Sequence, residues 1–434
     1  MRRSPKNLQI ACDHAGLTHF GGVYFFQEFL KVLQLRHILS RHLDYKRPRN
    51  HYSMPQMILA LIYPIVLGHD RLEAASFLRS NGVFQYLTGL PGYPDPQTSR
   101  RFLRQAPKIF RQQLHRLNDR LLQIFINVPK HRSRLIFDLD STVVTVFGKQ
   151  EGAAVGYNPR YRGKRSYDPL LCFEANSTYL WGTQLRPGNA GPWQGSKELL
   201  SSLFENVPAD IREIRVRADS GFGFDPVLST LEEYGTDYAV AARMTSPLKR
   251  LLPRLSYQKV SSGWEMAETS YRAKEWPEAR QIVAARCEME KDMSTTMFVH
   301  QNYRYRAWVT NLSLSPRGIW HFYDGRAEIE PRIRELREEY ALRNIPTSSF
   351  AANDLYLEII RLAYNLVTYF QHTCLPEDWH RYTLEKLRTK LFLTPAELVR
   401  PHNRPTLRLS KELGIDDLAD GILARITQVN PLDL

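Results

Sequence analysis

Cysteine is scarce and scattered: Cys12, Cys172, Cys287 and Cys374 are the only four in 434 residues, and no two form a CxxC pair. That leaves neither a dense disulfide framework nor the paired ligands that seed a zinc site, and a reducing cytoplasm is the natural home. Long apolar runs are also missing. The most apolar stretch, residues 57–67, is interrupted by Pro64 and falls well short of the roughly 20 residues that span a bilayer. The N-terminus lacks the apolar core of a signal peptide, so a soluble, unexported chain with no membrane partner is expected. No internal repeat or low-complexity tract is present, which excludes solenoid and linker-dominated architectures. Acidic residues are outnumbered, 45 Asp and Glu against 59 Lys and Arg, for a formal charge of +14. Such a balance favours a polyanionic partner, nucleic acid first. The excess is spread along the chain, so a basic enzyme without such a partner stays open.

What is present divides the chain. At 43% hydrophobic composition it can bury a large core and split into two or three domains. Residues 1–130 read as helical, with apolar spacing of about 3.6 over 23–43 and 71–79. Asp95 followed by Pro96 is a helix start, and the pattern continues toward 126 with Pro107 expected to kink or split it. Arg100, Arg104, Lys108 and Arg111 share one face if that helix is continuous, a face that can lie along phosphates or simply be solvated. The connection from 80 to 95 is too long for a standard helix-turn-helix.

From Ser133 the pattern changes. Residues 135–146 read as a buried strand, 168–175 and 179–185 as a hairpin turning at Asn176-Ser177-Thr178, 196–204 as a helix, 213–218 as a strand, 226–234 as a helix and 237–242 as a strand. The order is βββαβαβ. Residues 246–312 read as a β-rich insertion. Helical spacing returns over 323–340 and 354–370, and the basic stretch 373–434 reads as a helical C-terminal region, suited to DNA binding or dimerisation. The fold class expected is α/β, a mixed sheet flanked by helices over 131–245 and 313–372, interrupted by the insertion.

Acidic residues in apolar strands need a reason. Asp138 and Asp140 lie two apart on one strand and face the same way. Burying an unpaired carboxylate costs several kcal/mol, a cost that a divalent cation removes. Asp219 closes the 213–218 strand, where it can equally cap a turn. Tyr323, Arg326, Glu330 and Arg337 stand three, four and seven residues apart, which in a continuous helix places them on one face. Pro331 opposes that continuity: if the helix starts or kinks there, the shared face is lost. A set of three carboxylates from separate elements suits two Mg²⁺ ions about 4 Å apart, with Mn²⁺ as a substitute, acting on an in-line phosphoryl transfer. The loop 152–167 interleaves Arg160, Arg162, Lys164 and Arg165 with Tyr157, Tyr161 and Tyr167, a pattern fit for phosphates and aromatic packing or for a solvated basic loop.

These residues, taken together, resemble the DDE transposases of bacterial insertion sequences, in the group with a tyrosine, arginine, glutamate and lysine signature. Here that signature reads Tyr323, Arg326, Glu330 and Arg337, with arginine in place of lysine, a change of donor geometry. The family's first aspartate stands in an Asp-x-Thr context, which selects Asp140 in LDST and makes Asp138 secondary. The second fits Asp219 in RADSGF, and EGAAVGYNPRYRGKRSY, YDGRAEIE and RLAYNL follow in family order, from about Gly68 to about Leu398. The resemblance implies an RNase H-like core with a β-strand insertion before the glutamate helix. It implies Asp140, Asp219 and Glu330 as catalytic metal ligands, with Tyr323 and Arg326 on phosphates near the cut end. It also implies cut-and-paste transposition: 3′-end cleavage, a hairpin, then strand transfer. Its partners would be double-stranded DNA, as terminal inverted repeats and target, and a second copy of the chain on paired ends, in a bacterial cytoplasm at the nucleoid. An RNase H-like nuclease without strand transfer, and a non-catalytic domesticated DNA-binding protein, are the other classes.

Overall fold

The computed structural model describes residues 9–45, 51–126, 133–261, 263–289, 297–410 and 415–432. The expected boundary at 130–131, and part of the N-terminal stretch read as free of a leader, lie outside these residues. The chain forms two compact units, one of Met1–Gln113, Glu339–Ala341 and Leu366–Leu434, the other of Leu114–Glu338 and Leu342–Asn365. Residues 1–113 of the expected N-terminal region and the whole expected C-terminal region therefore fall in the same unit, while the N-terminal region's remainder, from Leu114, falls in the other.

That first unit is mostly helical, and its breaks follow the sequence. The helices Val23–Val32 and Leu35–His42 are separated at Gln34, whose φ is 55°. The helix Met54–Val66 starts with a capping box between Ser53 and Gln56 and runs through Pro64. Proline has no amide to give the carbonyl four residues back, and the Tyr93 hydroxyl donates to that carbonyl, Ala60, instead. Asp95 caps the helix Pro96–Gln105, accepting from the Gln97 amide at 2.8 Å. Pro107 ends it, and a new helix, Lys108–Phe125, begins at once. Arg100 and Arg104 thus sit on one helix and Lys108 and Arg111 on the next, so the expected single basic face is broken. The stretch 80–95, read as a connection, holds the helix Gly82–Thr88, capped by Asn81 and closed by left-handed Gly89.

The C-terminal region is not purely helical, which corrects the expectation. Strands Ala396–Val399 and Thr406–Leu409 form a hairpin that pairs with Leu17–Thr18. Pro395, Pro401 and Pro405 forbid a helix across this stretch, and left-handed His402 and Asn403 make the turn. A helix returns at Asp416–Gln428.

The second unit is built on a ten-stranded mixed sheet. Leu180–Gln184, Leu170–Glu174 and Arg134–Ser141 run antiparallel to their neighbours, and Glu213–Ala218 and Asp237–Ala241 continue in parallel with Arg134–Ser141. The hairpin turns where read: the buried Glu174 carboxylate accepts from the Asn176 and Ser177 amides. The β-rich stretch is no separate sheet. Tyr303–Thr310 pairs antiparallel with Asp237–Ala241, and Arg280–Glu288, Trp264–Tyr271 and Gln258–Ser261 extend the same sheet outward. Arg280 ties this extension back, donating to Glu232 at 2.7 and 2.8 Å and to Asp225 at 2.8 Å on the helix Asp225–Glu233. Its face carries a core of Met266, Val283, Ala285 and Trp308 against Ile319, with Trp264, Trp320 and Tyr323 at the margin. Among the described residues, no helix is long and apolar enough to cross a membrane.

Candidate active site

Asp140 and Asp219 stand at the ends of two adjacent parallel strands. Leu139 pairs with Ala218 in register, so the residue after each is an aspartate, on backbones that run side by side at about 4.8 Å within the sheet. Asp219 is also the turn cap that its position allowed: Oδ1 accepts from the Gly221 amide at 2.9 Å. Its Oδ2 accepts no hydrogen bond from the described residues. Asp140 Oδ1 accepts from the Ser141 amide at 2.8 Å, and Oδ2 accepts from Arg326 Nη2 at 2.7 Å.

The electrostatics follow from this crowding. Burial pushes the Asp140 carboxyl up, Arg326 pulls it back and Asp219 pushes it further, leaving it at about 6 against the usual 3.8. Arg326 is held above its ordinary value: burial pushes it down, but the charge of Asp140, then Tyr323 and Asp219, outweighs it. Tyr323, packed against Trp308 at a ring separation of 5.7 Å, is pushed up by burial, with Asp219 and Asp140 adding in the same direction. A raised carboxyl stabilises the native state fully below its unfolded pKa and loses that contribution as pH climbs through the native value. Between about pH 4 and about pH 7, wild-type protein in chelator is therefore expected to lose roughly 3 kcal/mol relative to Asp140→Asn. Thermal melts across that range test this, and parallel pH curves for the two proteins would contradict it.

Asp138 plays a different part from Asp140. It is 2% exposed and Arg217, its cross-strand neighbour, is 5% exposed. Arg217 grips both carboxylate oxygens, at 2.6 and 2.7 Å, and gives Nη1 to the Phe322 carbonyl at 2.9 Å. A Cβ on Gly325 would lie 2.2 Å from that nitrogen, which accounts for glycine there. A further carboxylate, which sequence reading did not single out, is Asp168, just ahead of the strand Leu170–Glu174. Arg186 pairs with it at 2.6 Å. Burial raises its carboxyl, and Asp219 adds to that rise, which marks it as a neighbour of the same strand ends.

The signature residues do not lie on one helix. Tyr323 ends the helix Pro316–Asp324, Arg326 sits in the 3-10 segment Gly325–Glu328, and Glu330 lies in the first turn of the helix Ile329–Glu338. Pro331 is the reason: in a first turn its missing amide costs nothing, so the helix starts beside it. Arg326 turns inward, whereas Glu330 is exposed and makes no hydrogen bond or ion pair among the described residues. Arg337 is half-buried, and its Nε, like that of Arg326, has no acceptor among the described residues. Among the described residues, no three His, Cys, Asp or Glu side chains come together to hold a metal ion.

The loop 152–167 folds as a small sheet of Val144–Thr145, Arg165–Tyr167 and Ala154–Val155. Arg160, Arg162 and Lys164 are exposed on it. Tyr161 meets Phe147 edge-on at 5.7 Å, and the Arg160 guanidinium lies 5.6 Å from the Tyr161 ring centroid. Tyr167 is instead buried, donating to the Glu151 carbonyl. Arg100 is paired with Glu73, and Arg104 is exposed.

A hard divalent cation fits the aspartate pair: carboxylates on adjacent strands, one desolvated and one with an oxygen that no group among the described residues satisfies. No curated protein matches the chain. Among solved structures, the cryo-EM structure of a piggyBac transposase synaptic complex with hairpin DNA is similar at 11% identity and a TM-score of 0.45, over 96% of this chain and 88% of that one. The family described as Transposase DDE domain group 1, whose members generally use divalent metals, matches residues 2–431, and the chain belongs to it.

Proposed function

We propose that this transposase carries out cut-and-paste transposition of an insertion sequence: 3′-end cleavage, hairpin formation and strand transfer into target DNA. The observation that carries the reading is the aspartate pair Asp140 and Asp219 at the ends of adjacent parallel strands, with Arg326 against Asp140. An RNase H-like core is part of the proposal. Its support is the strand order, an antiparallel run of three followed by two parallel strands.

Asp140 and Asp219 would hold the divalent cations, Mg²⁺ or Mn²⁺, with Glu330 as the third ligand. Bound there, the cations would activate a water or 3′-hydroxyl and stabilise the leaving oxygen. The chain's own part is positioning. Arg326 and Arg337 each keep a guanidinium Nε without an acceptor, a donor available to a phosphate oxygen. The Tyr323 hydroxyl, beside Arg326, fits a neighbouring phosphate. Asp138, whose two oxygens are committed to Arg217, orients these donors and is not a ligand. Domain roles follow: residues 131–245 and 313–372 for chemistry, 246–312 as the insertion, 1–130 for binding DNA, and 373–434 for binding DNA or a second copy.

Double-stranded DNA is the proposed partner, as terminal inverted repeats and target, met by a homodimer on paired ends. Arg160, Arg162 and Lys164, with Arg100 and Arg104, would lie along its backbone. Arg160→Ala with Arg162→Ala is expected to reduce the slope of log affinity against log salt by roughly 2, about 0.9 for each phosphate that the variant no longer neutralises. Titrations at several salt concentrations check this, and an unchanged slope removes the loop from the interface. The whole reading is tested by incubating the protein with its own element's flanked ends and Mg²⁺ or Mn²⁺. Hairpins and joined target are expected. Nicks without joining would favour a plain nuclease, and intact DNA a binding protein.

A further inference from the structure

The carboxylates around these strand ends are neutralised to different degrees. Asp138 is gripped at both oxygens by Arg217, whose remaining nitrogen is spent on the Phe322 carbonyl. Asp168 is held by Arg186, whose nitrogens are all engaged: Nη2 donates to the Asp168 carboxylate, Nε to the Asp168 backbone carbonyl, and Nη1 to the carbonyls of Gly191, Pro192 and Gln194 at 3.2, 2.9 and 2.8 Å. In both arginines every guanidinium nitrogen has an acceptor. The third pair differs. Arg326 meets Asp140 through one nitrogen at 2.7 Å, and its buried Nε has no acceptor. Among the described residues, no arginine is hydrogen-bonded or ion-paired to Asp219, whose one bond is from the Gly221 amide.

A buried donor without an acceptor costs about 1–3 kcal/mol. A phosphate, which takes a guanidinium by two parallel bonds, would recover that cost. Asp140 cannot be left bare when Arg326 turns away, because an unpaired carboxylate in this desolvated position is itself costly. Either a proton or a cation must then neutralise it, and a divalent cation does so while keeping Asp140 ionised. Resting on the reading of Asp140 and Asp219 as cation ligands, we infer that Arg326 is an internal stand-in for the cation. It neutralises Asp140 while no DNA is bound and moves to a phosphate when DNA arrives, so the metal loads tightly only on the DNA-bound protein. By linkage, DNA tightens the metal and the metal tightens DNA by the same factor.

The test is Mn²⁺ binding to the full chain, followed by the electron paramagnetic resonance of free Mn²⁺, with and without a short duplex oligonucleotide. Without DNA, Arg326→Gln is expected to bind Mn²⁺ roughly 10-fold more tightly than wild type, as a competing cation has been removed. Duplex is expected to tighten Mn²⁺ on wild type by a similar factor and to leave Arg326→Gln unmoved. Arg326→Lys, a conservative variant in case the glutamine protein does not fold, keeps the charge without the fork. It should bind Mn²⁺ as weakly as wild type without DNA and respond less to duplex. Equal or weaker binding by Arg326→Gln, or an undiminished response of Arg326→Lys to duplex, overturns the inference. Adding Asp140→Asn to Arg326→Gln separates the two levels: if Mn²⁺ binding survives it, the ligand assignment itself has failed.

Discussion

Asp219→Asn is expected to lower hairpin formation on element ends by at least about 10³-fold while leaving the melting temperature of the metal-free protein unchanged or raised. Outer partners of a metal site typically cost 10–100-fold when removed, and a direct ligand should cost more. Stability should not follow activity, for reasons visible at the site. Asparagine keeps the carbonyl oxygen that accepts from the Gly221 amide, so the turn cap survives. It also removes the negative charge that pushes Asp140 up. A variant that lost activity by melting would contradict this account, as would one that cleaved normally. Glu330→Gln offers the sharper comparison. Glu330 is exposed and unpaired among the described residues, so its loss should leave stability untouched and cut cleavage as deeply. Full activity in Glu330→Gln would remove it from the site, and the third ligand would have to be sought among the acidic neighbours of Asp219, with Asp168 first.

The contrast between Asp140 and Glu330 shows how far sequence patterns reach. Strands were legible because a buried strand leaves a dense apolar record: Glu213–Ala218 was read with the bounds that the fold gives it. The Asp219 strand end was legible too, but the strand read over 135–146 stops at Ser141, and Val144–Thr145 belongs to a different sheet. The glutamate segment was legible only as two alternatives, because a spacing of three, four and seven residues specifies one face only in an unbroken helix and Pro331 opposes one. Pro331 moved the helix start, and two elements and a 3-10 segment now carry four signature residues. The C-terminal hairpin was missed for the reverse reason, since its prolines were present but the basic composition was given more weight. Arginine pairing was beyond reach altogether. Nothing local marks Arg217 for Asp138 or Arg186 for Asp168, since each pair depends on strand register or on a chain crossing set by tertiary packing.

The Asp138 pair yields the largest expected effect on stability. Asp138→Ala leaves the Arg217 guanidinium buried without its counter-charge, and removing one partner of such a pair costs about 3–5 kcal/mol. For a unit of this size the melting temperature should fall by roughly 10 °C. Replacing both residues with apolar ones, Asp138→Leu with Arg217→Met, should recover most of that loss, because the desolvation penalty disappears together with the attraction. Activity should not return with it. Arg217 is also the group that holds the Phe322 carbonyl, one residue from Tyr323 and four from Arg326. Without that bond the segment carrying Tyr323 and Arg326, the proposed phosphate donors, loses its anchor to the strand that precedes Asp219. A stable but poorly active double variant would therefore separate the pair's two roles, in folding and in positioning. If Asp138→Ala instead melts like wild type, the pair is not holding the sheet together. Asp138 would then be free to act as a ligand, and the division of labour between the two aspartates of this strand would have to be redrawn.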